Sequence, residues 1–183
     1  MLITGNKITL RAVENADLVH FHQWANDPDI QYMLGGWHFP TNLNDQEKWF
    51  QTLNCNSLNQ RFTVTNNDGV IIGMANLVNI NFKDGNAELG LIVDKRFQGL
   101  GYGKEIVLSL VKYAFNELRL NRIETTVIAY NQPSLSLFAN CGWTKEGELR
   151  DWYYRKGNYH NKVVLSILHK EYATYLQDGK IYS

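Results

Sequence analysis

The chain has 183 residues, 44% hydrophobic and 20% charged, with 18 basic and 18 acidic side chains and so a formal net charge of zero. That length suggests one domain over 1–183, with a core that needs no staples, and the charge balance lacks the basic excess of a nucleic-acid-binding protein. Cys55 and Cys141 have no metal-ligand pattern around them; each reads as a small buried hydrophobe, which excludes a disulfide or zinc scaffold. Met1–Leu10 lacks a basic segment followed by a long apolar run, and no stretch approaches the roughly 18 apolar residues of a membrane span. A cytoplasmic chain with no membrane partner is expected.

Lys7–Val13 reads as a first strand. A helix follows, with Leu18, Phe21 and Trp24 three apart and Asn15 as its cap. Asp27-Pro28 opens a turn or short second helix. A third helix starts near Asn44, where Glu47 three residues later resembles a capping box. The period then changes. Residues 61–80 read strand, turn, strand, with Asp68-Gly69 at the turn, and Ala87–Val93 is another strand.

After a glycine-rich loop, Ile106, Val107, Leu110, Val111, Ala114, Phe115 and Leu118 form a helical apolar stripe. Residues 122–130 are a strand. Residues 132–142 are a short helix, with Pro133 in its first turn and Gly142 at its stop. Two strands around Gly157 close the pattern. The order β-α-α-α-β-β-β-loop-α-β-α-β-β-α gives a mixed α/β architecture with one central sheet. Internal repeats and low-complexity tracts are absent.

The loop "RFQGLGYGKE", Arg96–Glu105, stands between a strand and a long helix. A helix N-terminus offers unpaired N–H groups and the positive end of the dipole, and glycine lets backbone approach a phosphate. A nucleotide-phosphate loop would place a glycine at 98 and a hydroxyl after Lys104; the chain has Gln98 and Glu105. A dinucleotide fingerprint needs G-x-G-x-x-G, whereas Gly99, Gly101 and Gly103 alternate. A cradle for another pyrophosphate and a bland turn remain.

Here the chain resembles the GNAT N-acetyltransferase superfamily, in the branch of ribosomal-protein N-terminal and spermidine acetyltransferases. Gln98-Gly99-Leu100-Gly101-Tyr102-Gly103 matches the [QR]-x-x-G-x-[GA] loop, and Val93 stands five residues before Gln98. "NQPSLSLFANCGW", Asn131–Trp143, is similar to the family's N-x-x-S-x-x-x-[YF]-x-x-x-G-[FW] segment. The likeness runs over roughly residues 6 to 173. It implies a GNAT-like α/β fold, with a mainly antiparallel sheet flanked by helices and two strands splayed at an acetyl-CoA site.

The resemblance further implies direct transfer of an acetyl group to a primary amine, with acetyl-CoA as cosubstrate and no metal. Ile92 and Val93 would pair with pantetheine. Gln98, Gly99, Leu100, Gly101, Tyr102, Gly103 and Lys104 would hold the pyrophosphate. Asn131, Ser134 and Phe138 would line the thiol end. Relatives use a tyrosine at the position of Phe138 to protonate the leaving thiolate, and phenylalanine has no proton to give. Ser134 and Tyr153 or Tyr154 are the substitutes, and strand alternation puts only one of the tyrosines inside. Phe138→Tyr is expected to leave the fold intact, with room for a gain in turnover.

The acceptor must attack as a neutral amine. A lysine-like amine is about 0.04% neutral at pH 7, and an N-terminal α-amine roughly 10–15%. Glu88, where the strand faces the acyl end, is the candidate base, and an acceptor-binding anion is its other reading. Trp37, His38, Phe39 and Tyr154, with Glu88, are the candidate acceptor contacts. No carboxylate occurs between Gln31 and Asn44, which disfavours a polycation. His20, His22, His160 and His169 have no metal spacing. A protein N-terminus leads as the acceptor, ahead of an amino sugar or other small amine and of a polyamine. A catalytically silent acyl-CoA-binding domain, for which Phe138 speaks, is the rival of another class, and a homodimer stays open.

Overall fold

Side chains alternate between two covered faces along β3 (Gln60–Asn66), β4 (Ile71–Asn81) and β5 (Asn86–Val93), with Val64, Ala75, Leu77 and Leu89 on one face and Met74 and Ile92 on the other. The computed structural model describes residues 2–35 and 39–177. With β1 (Ile3–Thr4), β2 (Ile8–Ala12), β6 (Arg122–Ile128), β7 (Thr144–Arg155) and β8 (Asn158–Leu168), these strands form one sheet in the order β1-β2-β3-β4-β5-β6-β8-β7. Every pairing is antiparallel except β5 with β6. The two-residue β1 is too short to leave a periodic signal, and it is the one strand absent from the predicted order.

The parallel contact is brief. Asn86, Ala87 and Glu88 stand opposite Arg122, Ile123 and Glu124, and beyond Glu88 the two strands part. The sheet is therefore split by a V whose vertex lies at Glu88. The outermost strand, β7, loses register at Lys145/Gly147 and again at Leu149/Tyr153, with Asp151 at φ 52°.

α4 (Tyr102–Asn116) covers one face. Its predicted stripe holds: Ile106, Val107, Leu110 and Val111 are fully buried against Leu10, Val64, Ile72, Leu77 and Ile123. Each such side chain contributes about 1.5–3 kcal/mol by leaving water. α6 (His169–Gln177) adds Tyr172 to this layer. The other face carries α1 (Leu18–Ala25), α2 (Pro28–Met33) and α3 (Leu43–Gln51). Leu18, Phe21, Trp24 and Ile30 pack there on Met74 and Ile92.

Two helix starts differ from expectation. A single 3-10 turn, Asn15–Asp17, precedes α1, and its cap is Glu14. Asp17 reaches back to the Glu14 amide (2.9 Å) because Arg11 and Thr63 fix its carboxylate. α3 is capped by Asn42, whose Oδ1 accepts from the Asp45 amide at 2.9 Å. Asn42 rather than Asn44 takes the role because its own third residue, Asp45, also accepts from Asn42 Nδ2. The cysteines divide. Cys141 is buried, which pushes its thiol up to about 12, whereas Cys55 sits exposed in the loop between α3 and β3.

Candidate active site

The V opens onto a cleft of about 510 Å³. Its walls are the end of β5 (Leu91, Ile92, Val93), one side of α2 (Ile30, Met33, Leu34), the glycine loop, and the start of α5 (Gln132–Asn140). Gly73 sets the depth of the β5 wall. A Cβ there would lie 2.2 Å from the Ile92 carbonyl oxygen, so only glycine lets β4 and β5 approach this closely.

The loop is held from three sides. Asp94 accepts from the Arg96 amide (3.0 Å), from Arg96 Nε and Nη2, and from the buried Trp24 Nε1 (3.0 Å). The Arg96 guanidinium, helped by that amide and indole, keeps the Asp94 carboxyl well below the usual carboxylate range despite its burial. Lys95 is tied to Asp27 (2.8 Å) and Asp29 (2.7 Å) on α2. Gln98 Nε2 donates to the Val93 carbonyl.

Gly99 and Gly101 then take φ of 75° and 86°, with open space where a side chain would stand. Gly101 is the N-cap of α4, and the ladder begins with Glu105 donating to the Gly101 carbonyl. The amides of Tyr102, Gly103 and Lys104 precede that ladder at the positive end of a 15-residue helix. Lys104 lines the same cleft and has no ion pair among the described residues. Converging amides and an ammonium with no ion pair among the described residues suit a pyrophosphate.

Gln98, Gly99, Gly101, Gly103, Lys104, Ile92, Val93, Asn131 and Ser134 all line the cleft. Leu100 is exposed, and Tyr102 packs edge-on against Phe97. Phe138 departs from expectation. It is 2% exposed and lies in the core, 4.8 Å from the Trp143 ring, and Leu137 takes the lining position instead. Leu137 and Phe138 flank Ser134 on opposite sides along the helix surface, and the Phe138 side is the one packed on Trp143 and the core.

The Asn131 amide is already committed. Its Oδ1 caps α5 by accepting from the Ser134 amide (3.2 Å), and its Nδ2 donates to the Met33 carbonyl (3.1 Å). Ser134 Oγ has no hydrogen-bond partner among the described residues and borders the cleft.

Glu88 lies at the vertex, on the face opposite the α4 core, with Oε1 accepting from Asn79 Nδ2 at 3.0 Å. Asn79 reaches it from a bulge in β4, where its φ is 52°. Tyr153 is buried, with its hydroxyl against Gly35 and the Arg155 guanidinium over its ring, and Tyr154 is exposed. Alternation thus separates the two tyrosines as anticipated. Trp37 and His38 fall outside the described residues.

The contribution of α2 carried no sequence signal. Its C-terminal end is pinned by the chain after β6: Tyr130 donates its hydroxyl to the Tyr32 carbonyl and stacks on the Tyr32 ring at 4.7 Å, beside the Asn131–Met33 bond. A second cleft, of about 470 Å³, lies across α2, between Tyr32 and Phe39 on one side and Tyr154, Arg155 and Lys156 on the other. Among the described residues no group of His, Cys, Asp or Glu is arranged to hold a metal ion, and no helix is long and apolar enough to cross a membrane.

Comparison with known proteins agrees with this geometry. Residues 7–144 match the Acetyltransferase (GNAT) domain. The chain is 30% identical to the SPbeta prophage-derived uncharacterized N-acetyltransferase YokL of Bacillus subtilis, over 92% of this chain and 94% of that protein. It is 27% identical to the spermidine N(1)-acetyltransferase of Vibrio cholerae, over 92% and 96%. A crystal structure of the spermidine N-acetyltransferase from Vibrio cholerae, in complex with CoA and spermine, superposes with a TM-score of 0.86 at 26% identity, over 91% of this chain and 98% of that one. The split sheet, the glycine-capped α4 and these relatives together establish that the chain belongs to the GNAT acetyltransferase family.

Proposed function

We propose that the protein is an acetyl-CoA-dependent N-acetyltransferase whose acceptor is the α-amine at a protein or peptide N-terminus. The observation that carries the acceptor class is the second cleft. Arg155 and Lys156 line it, no Asp or Glu does, and the whole stretch between Gln31 and Asn44 lacks a carboxylate. A polycation would meet like charge there. The spermidine relatives favour a small-molecule amine as the second reading.

Acetyl-CoA supplies the thioester, and transfer yields an amide and the free thiol. The amides of Tyr102, Gly103 and Lys104, with the Lys104 ammonium, hold the pyrophosphate. The edge of β5 around Ile92 and Val93, left by β6, offers backbone groups to the pantetheine and an N–H to the developing oxyanion. Glu88, steadied by Asn79, takes the proton that the amine must lose, directly or through water. Ser134 Oγ donates to the departing sulfur, and the buried Tyr153 hydroxyl is the reserve proton source. Phe138 supports packing alone.

The test is CoA-thiol release from acetyl-CoA with a panel of free-amine peptides, polyamines and amino sugars. Peptide-dependent release is expected, with spermidine inert. Spermidine turnover without peptide turnover would move the assignment to the small-amine reading. Tight CoA binding with no amine-dependent release would make the domain a silent binder.

A further inference from the structure

We propose that Lys156 selects the acceptor, by receiving an acidic side chain of a peptide substrate in the second cleft; this rests on the peptide α-amine reading above. Lys156 stands at the tip of the β7–β8 hairpin. Arg155 pairs with Asn158, which leaves Lys156-Gly157 as a two-residue turn. Both have positive φ, 46° and 85°. That is the turn geometry in which asparagine, aspartate or glycine is favoured at the first position, because other side chains crowd the left-handed backbone. A lysine there breaks a local rule, and such departures concentrate at binding sites.

What the lysine does is visible. Its ammonium lies 4.3 Å from the centroid of the Tyr32 ring, in a cleft that also presents Asn26, Gln31, Tyr154 and Arg155. Tyr32 is itself fixed, stacked on Tyr130. The cation is held over an aromatic face, in a cleft whose lining offers it no carboxylate. Lys162, the other lysine of this hairpin placed over a ring, lies over the exposed Trp152 and not in the cleft. An incoming carboxylate would complete Lys156's coordination without displacing a native ion pair.

The spacing selects a peptide over a free amino acid. One side of α2 lines the acyl cleft and the other lines this one. A helix with side chains is about 10 Å across, and an extended chain covers roughly 3.3–3.6 Å per residue. The acidic residue would therefore stand about three residues after the acetylated amine.

The test uses the full chain and free-amine peptides that differ only at their third and fourth residues, Glu against Lys. Wild type should show a KM for the acidic peptides about tenfold lower, with kcat unchanged. Lys156→Asn suits the turn and should fold at least as well; it should raise KM for acidic peptides alone. Lys156→Glu should reverse the preference. Equal acidic-to-basic ratios in wild type, K156N and K156E would overturn the proposal while leaving peptide acetylation standing. Polyamine turnover with no peptide turnover would overturn both.

Discussion

The Gln98 side chain donates to the Val93 carbonyl at 2.9 Å, closing a loop between the end of β5 and the glycines that start α4. One hydrogen bond thus ties the strand edge proposed for pantetheine to the amides proposed for the pyrophosphate. The two parts of the donor site are positioned as a unit.

Gly101→Glu tests that unit. Position 101 has φ 86° with open space ahead of it, so a glutamate would bring both left-handed backbone strain and a negative charge into the cradle. Acetyl-CoA affinity by titration calorimetry should fall at least about 100-fold, equivalent to about 2.8 kcal/mol. Unchanged affinity would remove the cradle from the binding site.

Glu88→Gln should lower kcat by about 10²–10⁴ near pH 6. The deficit should shrink as pH rises past the α-amine range of about 7.7–8, because the acceptor then arrives already neutral. A deficit that is flat across the pH–rate profile would assign Glu88 to acceptor binding.

Phe138→Tyr should destabilise the fold rather than improve catalysis. The ring is 2% exposed against Trp143, and a hydroxyl placed there finds no water. The cost should be about 1–3 kcal/mol, read as a lowered thermal midpoint, with turnover no higher than wild type. A gain in turnover would show that the ring edge reaches the thiol end.

Asp94→Asn should remove one acid-labile tie of the loop, leaving those of Lys95 to Asp27 and Asp29. The folded carboxyl is held low by Arg96, so its stabilisation is complete above the unfolded value near 3.9 and is lost as pH falls through the folded one. Glu146, held to about 2 chiefly by Arg122 and Ser166, is lost over a similar window. The variant should melt lower than wild type at pH 7, and the gap should close below about pH 4. A constant gap down to pH 2 would deny the linkage.

The elements of the proposed donor half were legible in the sequence because their signals are local. The alternating glycines, the stripe of α4 and the Asn131–Ser134 cap each span a few residues. Glu88 was placeable because it belongs to the strand leading into that loop. The part played by α2 was not readable. Its fixing contacts, Tyr32 with Tyr130 and Met33 with Asn131, join residues 98 apart in the chain. The inward turn of Phe138 was hidden for another reason. A motif position specifies spacing along α5, but which side of the helix meets the core depends on where the sheet lies.

The irregular outer strand has a consequence for solubility. β7 ends the sheet and carries exposed Leu149, Trp152 and Tyr154, a composition that would invite edge-to-edge polymerisation if the strand were flat. Its two losses of register, with Asp151 turned into the left-handed region, break the row of outward amides and carbonyls into short pieces. Lys145, Glu146, Glu148 and Arg150 add mixed charge along the same border. A foreign strand finds no continuous template there, so the hairpin can leave its aromatic rings exposed without seeding aggregates.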